Sequence, residues 1–260
     1  MPAGTLNISI IQPDIVWENK DLNLKQYEAY IANIKEQKEV VVLPEMFSTG
    51  FSMAPEKFAE PMDGISVNWM KQMAHKYRCI FAGSLMIEED GNYYNRLLWV
   101  QPDAQIFYYD KRHLFGYADE DKHYTHGNKR LIVQVKGFRI CLQVCYDLRF
   151  PVWSRNQGDE YDVLLFVANW PERRSLAWKT LLQARAIENI SYVVGVNRVG
   201  IDGKNIAYNG GSRVINPVGE VIWEAPNEPV IHTIALEKFK VADTRAHFPF
   251  LNDSDKFLLL

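Results

Sequence analysis

The sequence predicts an α/β protein, a mixed sheet system with helices outside it. Three observations carry this. Apolar runs of strand length alternate with helix-length segments, early in the chain and again after residue 160. Hairpin signals intrude between them, the strongest at Asp90-Gly91-Asn92. No Gly/Ser-rich linker, repeat or low-complexity tract breaks the run, so residues 1–260 read as one domain.

The elements follow in order. Residues 6–12 form an apolar run expected to be a buried strand. Residues 21–37 place Leu22, Leu24, Tyr27, Tyr30, Ile31 and Ile34 at helical spacing. Residues 39–43 are the next strand, and 66–77 a helix with Val67, Met70 and Ala74 on one face. Segments 79–88 and 93–101 flank the Asp90-Gly91-Asn92 turn, and Pro102-Asp103-Ala104 turns the chain into a strand at 105–110. A polar loop is expected from there to about residue 129, long enough to suggest a functional role. Strands at 130–136 and 138–144 pair around Gly137. After them come a strand at 161–168, a helix at 174–189 and a strand at 191–198. Hairpin material follows at 205–215 and 220–224, around Asn216-Pro217-Val218-Gly219, and a late strand at 230–236.

Composition excludes several classes of partner. With 29 Lys+Arg against 32 Asp+Glu, the formal charge of −3 gives no reason to expect nucleic acid or a membrane surface. No apolar stretch approaches membrane-spanning length, and the N-terminus lacks the basic-then-apolar pattern of a secretion signal. Three cysteines in 260 residues do not suggest a disulfide framework. Cys79 and Cys141 sit in apolar runs and are expected to be packed and reduced, in a cytoplasmic protein.

Three strand ends carry chemistry. Val41-Val42-Leu43-Pro44-Glu45 ends in a carboxylate, and Tyr108-Tyr109-Asp110-Lys111-Arg112-His113 delivers an ammonium. Leu142-Gln143-Val144-Cys145-Tyr146-Asp147-Leu148-Arg149-Phe150-Pro151 presents a thiol at a strand-to-helix turn. Ligands in such sheets bind at the strand C-termini, so the three groups are expected to converge. A helix start beside Cys145 is expected to favour its thiolate. Glu45 suits the role of general base, and Lys111 that of a cation for thiolate and oxyanion. The backbone N–H of Tyr146 is placed to assist. The matching reaction is attack on an amide or nitrile carbon, with an acyl-enzyme that water releases.

At these residues the chain resembles the nitrilase superfamily of carbon–nitrogen hydrolases. Leu43-Pro44-Glu45, Asp110-Lys111-Arg112-His113-Leu114 and Val144-Cys145 through Pro151 occur in the family's order and with family-like spacing. The resemblance implies a four-layer αββα sandwich, a Glu45-Lys111-Cys145 triad and no cofactor. It also implies a second active-site glutamate. Glu120 has the matching offset from Gly127, although Asp119-Glu120-Asp121 also reads as a solvated acidic loop. Glu120 would orient Lys111 or the substrate and share the proton work.

Finer features resemble the omega-amidase branch. They are Ala168-Asn169-Trp170-Pro171-Glu172-Arg173-Arg174, Trp178, residues 183–189, residues 196–200 and Tyr208-Asn209-Gly210-Gly211-Ser212. That branch hydrolyses the terminal amide of short 2-oxo dicarboxylate monoamides, such as 2-oxoglutaramate and 2-oxosuccinamate. The same triad also serves deaminated glutathione, N-carbamoyl compounds, other aliphatic amides and nitriles.

A small acidic amide needs a cation for its free carboxylate, and arginine supplies a bidentate fork. Arg173 and Arg174, at a predicted strand end, are the first candidates, and Arg149 is the rival. Tyr146 and Trp170 are candidate pocket walls. His113, His123 and His126 lack metal-site spacing, so no metal is expected. The tail, about residues 238–260, carries Phe248-Pro249-Phe250-Leu251 and Phe257-Leu258-Leu259-Leu260. Apolar surface of that size calls for a partner, and the family resemblance points to a symmetric homodimer.

Overall fold

The structure is a computed structural model in which residues 4–258 are described. Two six-stranded sheets lie face to face. The first contains β1 (Thr5–Gln12), β2 (Val40–Val42), β3 (Ile80–Glu89), β4 (Asn92–Val100) and β5 (Ile106–Asp110). Its core is the parallel trio β1, β2 and β3, which β4 and β5 extend antiparallel. The second sheet repeats the plan. It contains β6 (Leu131–Val135), β7 (Phe138–Val144), β8 (Val163–Val167) and β9 (Tyr192–Val196), of which β7, β8 and β9 are parallel. After β9, β10 (Val199–Ile201) and β11 (Ala207–Asn209) form a separate hairpin. Then β12 (Arg213–Ile215) and β13 (Val221–Glu224) close the second sheet, and β14 (Val230–Glu237) returns to pair with β1.

Two-residue alternation explains the layering. Val40 and Val42 face the second sheet, together with Ile8, Ile10 and Trp99, in one cluster with Ile140 and Leu142 of β7 and Val163 and Leu165 of β8. Val41 points the other way, into a second cluster with Ile11, Phe81 and Leu98. That outer face is covered by α1 (Lys20–Ala32) and α3 (Ile65–Tyr77), through Leu24, Tyr27, Ile31, Val67, Met70 and Ala74. On the far side α6 (Ser175–Asn189) packs on the second sheet through Trp178, Leu182 and Ala186. Helix, sheet, sheet, helix is the αββα order that the resemblance implied.

Several expected elements differ at their edges. The first helix ends at Ala32 rather than 37, because the Asn33 side chain bonds back to the Ala29 carbonyl at 2.9 Å and competes with the next turn. The loop after Lys111 is not structureless: it holds a 3₁₀ turn at Gly116–Ala118 and the one-turn helix α4 (Glu120–His123). Two short helices, α2 (Pro55–Phe58) and α5 (Pro151–Ser154), each begin at a proline, the residue suited to a first helical position. The tail adds α7 (Lys238–His247), which buries only Val241 and so has no apolar stripe to read. Its Leu259 and Leu260 lie outside the described residues.

Candidate active site

Glu45, Lys111 and Cys145 all follow strands of the parallel cores or their edges, and they come from both sheets. Lys111 directly follows β5, Glu45 lies three residues past β2, and Cys145 directly follows β7. All are buried, Cys145 the least at 9 % exposure. The turn at Cys145 is held in the left-handed region, with φ of 44°, and Met46 beside Glu45 has φ of 42°. Non-glycine residues persist there only where the surroundings enforce it, and such strain gathers at functional sites.

The Lys111 ammonium is the hub. It donates to Glu45 Oε1 at 2.9 Å and to both oxygens of Glu120, at 2.9 and 2.8 Å. Glu120, on the first turn of α4, is fully buried, so the acidic stretch is not a solvated loop at this residue. Burial raises the Glu120 carboxyl above its usual range while Lys111 pulls it down. The ammonium of Lys111 lies above its usual value: burial works against the charge, but Glu120 and Glu45 outweigh it.

The expected thiolate-favouring helix field is not what the thiol meets. A five-residue 3₁₀ turn, Cys145–Arg149, follows β7 instead of a regular helix. Burial, then the Glu45 carboxylate, push the Cys145 thiol well above its ordinary value, and Lys111 only partly offsets them. The surroundings disfavour the thiolate, so ionisation calls for coupling to a base. Its Sγ lies 3.9 Å from the Asn169 carbonyl.

Two further contacts tie the sheets together around the site. Asn169, two residues past β8, donates its backbone N–H to Glu45 Oε2 at 2.8 Å and its side-chain amide to the Glu45 carbonyl at 2.6 Å. Asp147 is fully buried and accepts from Val144 N, Tyr109 Oη and the backbone and Nδ1 of His113, at 2.7 to 3.0 Å. It thereby joins the cysteine turn to both flanks of Lys111. Burial, with Asp147, keeps the Tyr109 phenol well above its ordinary value and so a donor. Asn95 on β4 bridges Glu45 and Glu120. Asn95 and the roles of Asp147 and Asn169 were missed in the sequence. The one available signal was an asparagine just before the apolar half of a strand, Asn95-Arg96-Leu97-Leu98-Trp99.

Above the thiol opens a cavity of about 290 Å³, lined by Tyr146, Trp170, Arg149, Arg173 and Arg174 among others. All the residues singled out as pocket walls or cations reach it. Trp170 is held by Trp178, 5.4 Å away between ring centres, and by a bond from its backbone N–H to Asn197 at 2.8 Å. Asn197 in turn donates to the Gly210 carbonyl, and at Gly210, with φ of 68°, a Cβ would meet the Gln12 amide at 2.4 Å. Arg149 lies over Trp170, Arg173 over Tyr117 and Arg174 over Phe115, at 5.1, 5.9 and 4.9 Å. Among the described residues none of these three arginines has a carboxylate partner. Burial, then the nearby Arg173 and Arg149, lower the Arg174 guanidinium, partly offset by Cys145 and Tyr208.

Comparison with known proteins places this geometry in context. The carbon-nitrogen hydrolase family model matches residues 7–244. The chain is 46% identical to the omega-amidase YafV of Escherichia coli (strain K12) over 255 residues, covering 98% of each. It is 33% identical to a 2-oxoglutaramate amidase of Bacillus subtilis (strain 168), covering 96% of this chain and 98% of the relative. A crystal structure of a CN-hydrolase superfamily protein from Xanthomonas campestris, with an arsenic adduct in its active site, superposes with a TM-score of 0.96 at 43% identity. That match covers 98% of this chain and 99% of the other. Match length, fold and strand-end geometry agree, and the chain belongs to the carbon–nitrogen hydrolase family, whose members cleave non-peptide C–N bonds.

Proposed function

We propose that this protein is a cysteine amidase that hydrolyses the terminal amide of small 2-oxo dicarboxylate monoamides, 2-oxoglutaramate and 2-oxosuccinamate, to the acid and ammonia. One observation carries the reading: the thiol lines a small cavity whose wall holds three arginines, none ion-paired among the described residues, while its one acid, Asp119, pairs with Lys122. At 290 Å³ the cavity sits at the lower limit of ordinary ligand pockets, roughly 300–1,000 Å³. A short, acidic substrate suits both its size and its charge. The names of the relatives from Escherichia coli and Bacillus subtilis point the same way.

In this reading Glu45 takes the thiol proton as the Cys145 sulfur attacks the amide carbon. The oxyanion forms beside the Lys111 charge and the Tyr146 N–H, which stands in the first turn after β7 and has no intrahelical partner. Glu45 then passes its proton to the nitrogen, the C–N bond breaks and ammonia leaves a thioester. Water attacks the thioester with Glu45 again as base, the acid departs and the thiol is restored. Arg174, flanked by Arg149 and Arg173, holds the free carboxylate, and Tyr146 and Trp170 exclude bulkier chains. Three free cysteines and a thiol nucleophile suit the reducing cytoplasm. A homodimer fits the exposed apolar residues Leu176 and Ile187 on α6 and Phe248 and Phe250 in the tail.

The test is ammonia release from 2-oxoglutaramate, a neutral aliphatic amide and a nitrile, with wild type, Cys145→Ala and Arg174→Leu. Turnover of the oxo-acid amide should vanish in Cys145→Ala. In Arg174→Leu, KM for the acidic amide should rise tenfold or more, about 1.4 kcal/mol of binding, with neutral amides unaffected. Equal losses on both substrates would remove the carboxylate clamp. Full activity in Cys145→Ala would remove the mechanism.

A further inference from the structure

We propose that Asn95 is a positioning residue that divides labour between the two buried carboxylates: it leaves Glu45 to carry the proton and fixes Glu120 as the anion paired with Lys111. The inference rests on the cysteine-amidase reading and adds a residue to it.

Asn95 is fully buried on β4. Its Nδ2 donates to Glu45 Oε1 at 2.8 Å and to Glu120 Oε1 at 3.1 Å. Its Oδ1 accepts from Ser84 Oγ at 2.8 Å, and Ser84 Oγ accepts from the Met46 N–H at 2.8 Å. That chain fixes which way the amide faces. Turned over, Asn95 would set its oxygen against two carboxylate oxygens and its NH₂ against a hydroxyl that already has a donor of its own. The relay also begins at Met46, the strained residue beside Glu45, so Ser84 holds the backbone of that turn and Asn95 its carboxylate, the two joined by one bond.

The donors that each receives separate the two acids. A carboxylate offers about four lone-pair directions. Glu120 receives Asn95 and Lys111 on Oε1, and Lys111 and the Phe115 N–H on Oε2. Glu45 receives Asn95 and Lys111 on Oε1 and the Asn169 N–H on Oε2, and its fourth donor is the Cys145 thiol itself. The same Asn169 places its carbonyl against the Cys145 sulfur. Glu45 is thus the acid whose remaining donor carries the proton that has to move. The S–H bond of Cys145 breaks, its proton goes to Glu45, and that proton later goes to the amide nitrogen as the C–N bond opens. Burial raises the Glu120 carboxyl, but a proton there would have to displace one of the four donor contacts that already fill its oxygens. This narrows the sequence expectation that Glu120 shares the proton work.

The charged and titratable groups facing this pair are Lys111, Cys145 and, beyond Glu120, Tyr124. Arg174 and Tyr208 face the thiol from the pocket side. Loss of Asn95 removes a donor from each carboxylate, which favours the protonated acid. In Asn95→Leu, kcat/KM for 2-oxoglutaramate should fall tenfold or more at neutral pH, and its acid limb should move up by about one unit. Ser84→Ala, a milder change that carries the test should Asn95→Leu fail to fold, should move the limb the same way by less. Glu120→Gln should keep an acid limb, displaced to lower pH because a like charge is gone, whereas Glu45→Gln should lose turnover.

A uniform fall with an unmoved limb in a folded Asn95→Leu would overturn the proposal, leaving Asn95 a packing residue. So would an acid limb that disappears in Glu120→Gln while Glu45→Gln still turns over. The pH profile of Cys145 alkylation by iodoacetamide reads the same shift without substrate. A moved alkylation limb in an enzyme that ignores 2-oxoglutaramate would support Asn95 and reject the substrate. An unmoved one in an enzyme that hydrolyses it would do the reverse.

Discussion

At the scale of single residues, one ammonium pairs with two buried carboxylates, and its loss cannot be masked. Lys111 has 1 % exposure and its partners none, so solvent does not replace it. Lys111→Met keeps most of the volume and removes the charge. Stability at pH 7 should fall by about 3–5 kcal/mol, the penalty for leaving buried charge unpaired. The deficit should shrink as pH falls. Without Lys111 the burial that already raises Glu120 loses its main opponent, so the native Glu120 carboxyl binds a proton at a pH where the unfolded chain does not. A group with a raised native value stabilises the fold below its unfolded value, roughly 4.3 for glutamate, and loses that contribution as pH rises. Urea titrations at pH 5 and pH 8 check this: a deficit equal at both would show that the carboxylates stay ionised or reach water.

At the scale of elements, the site depends on how closely the loop after β5 returns to it. Gly127 donates its N–H to the Lys111 carbonyl at 2.9 Å, which draws the two backbones together. A Cβ there would sit 2.1 Å from the Asp110 carbonyl oxygen, and a backbone atom cannot swing aside. Gly127→Ala should therefore cost about 1–3 kcal/mol and displace the segment that carries Glu120. Loss of activity should accompany the loss of stability, since Glu120 and Lys111 are anchored by the same loop. An alanine variant with wild-type denaturation midpoint and kcat would show that the close approach is not maintained in solution. Asp147 works in the same way between elements, joining the end of β7 to both sides of Lys111 with a single carboxylate.

At the scale of the whole molecule, the exposed apolar surface is uneven. Leu176 is 82 % exposed on α6, and Phe239 and Phe250 are 72 % and 61 % exposed in the C-terminal segment. Such residues favour burial against a second copy. Sedimentation equilibrium should give twice the mass of one chain, and Leu176→Asp should shift it toward the single chain. A wild type that sediments as one chain at micromolar concentration would remove the dimer.

Much was legible in the sequence because it is local. Strand ends announce themselves where an apolar run stops, so Glu45, Lys111 and Cys145 could be placed at one edge before any tertiary contact was known. The pocket residues Trp170, Arg173 and Arg174 follow β8 for the same reason. What the tertiary structure alone decided is which polar groups hydrogen-bond to one another. Asn95 meets Glu45, and Ser84 meets Met46, only because β3 and β4 lie beside the β2 end, and Asp147 meets Tyr109 only because the second sheet stacks on the first. Burial then shifted the balance: the helix field expected to ionise Cys145 gave way to a buried thiol beside a carboxylate. Sequence determines which side chains stand at the strand ends; desolvation and hydrogen-bond geometry, which depend on what packs above them, determine what those side chains do.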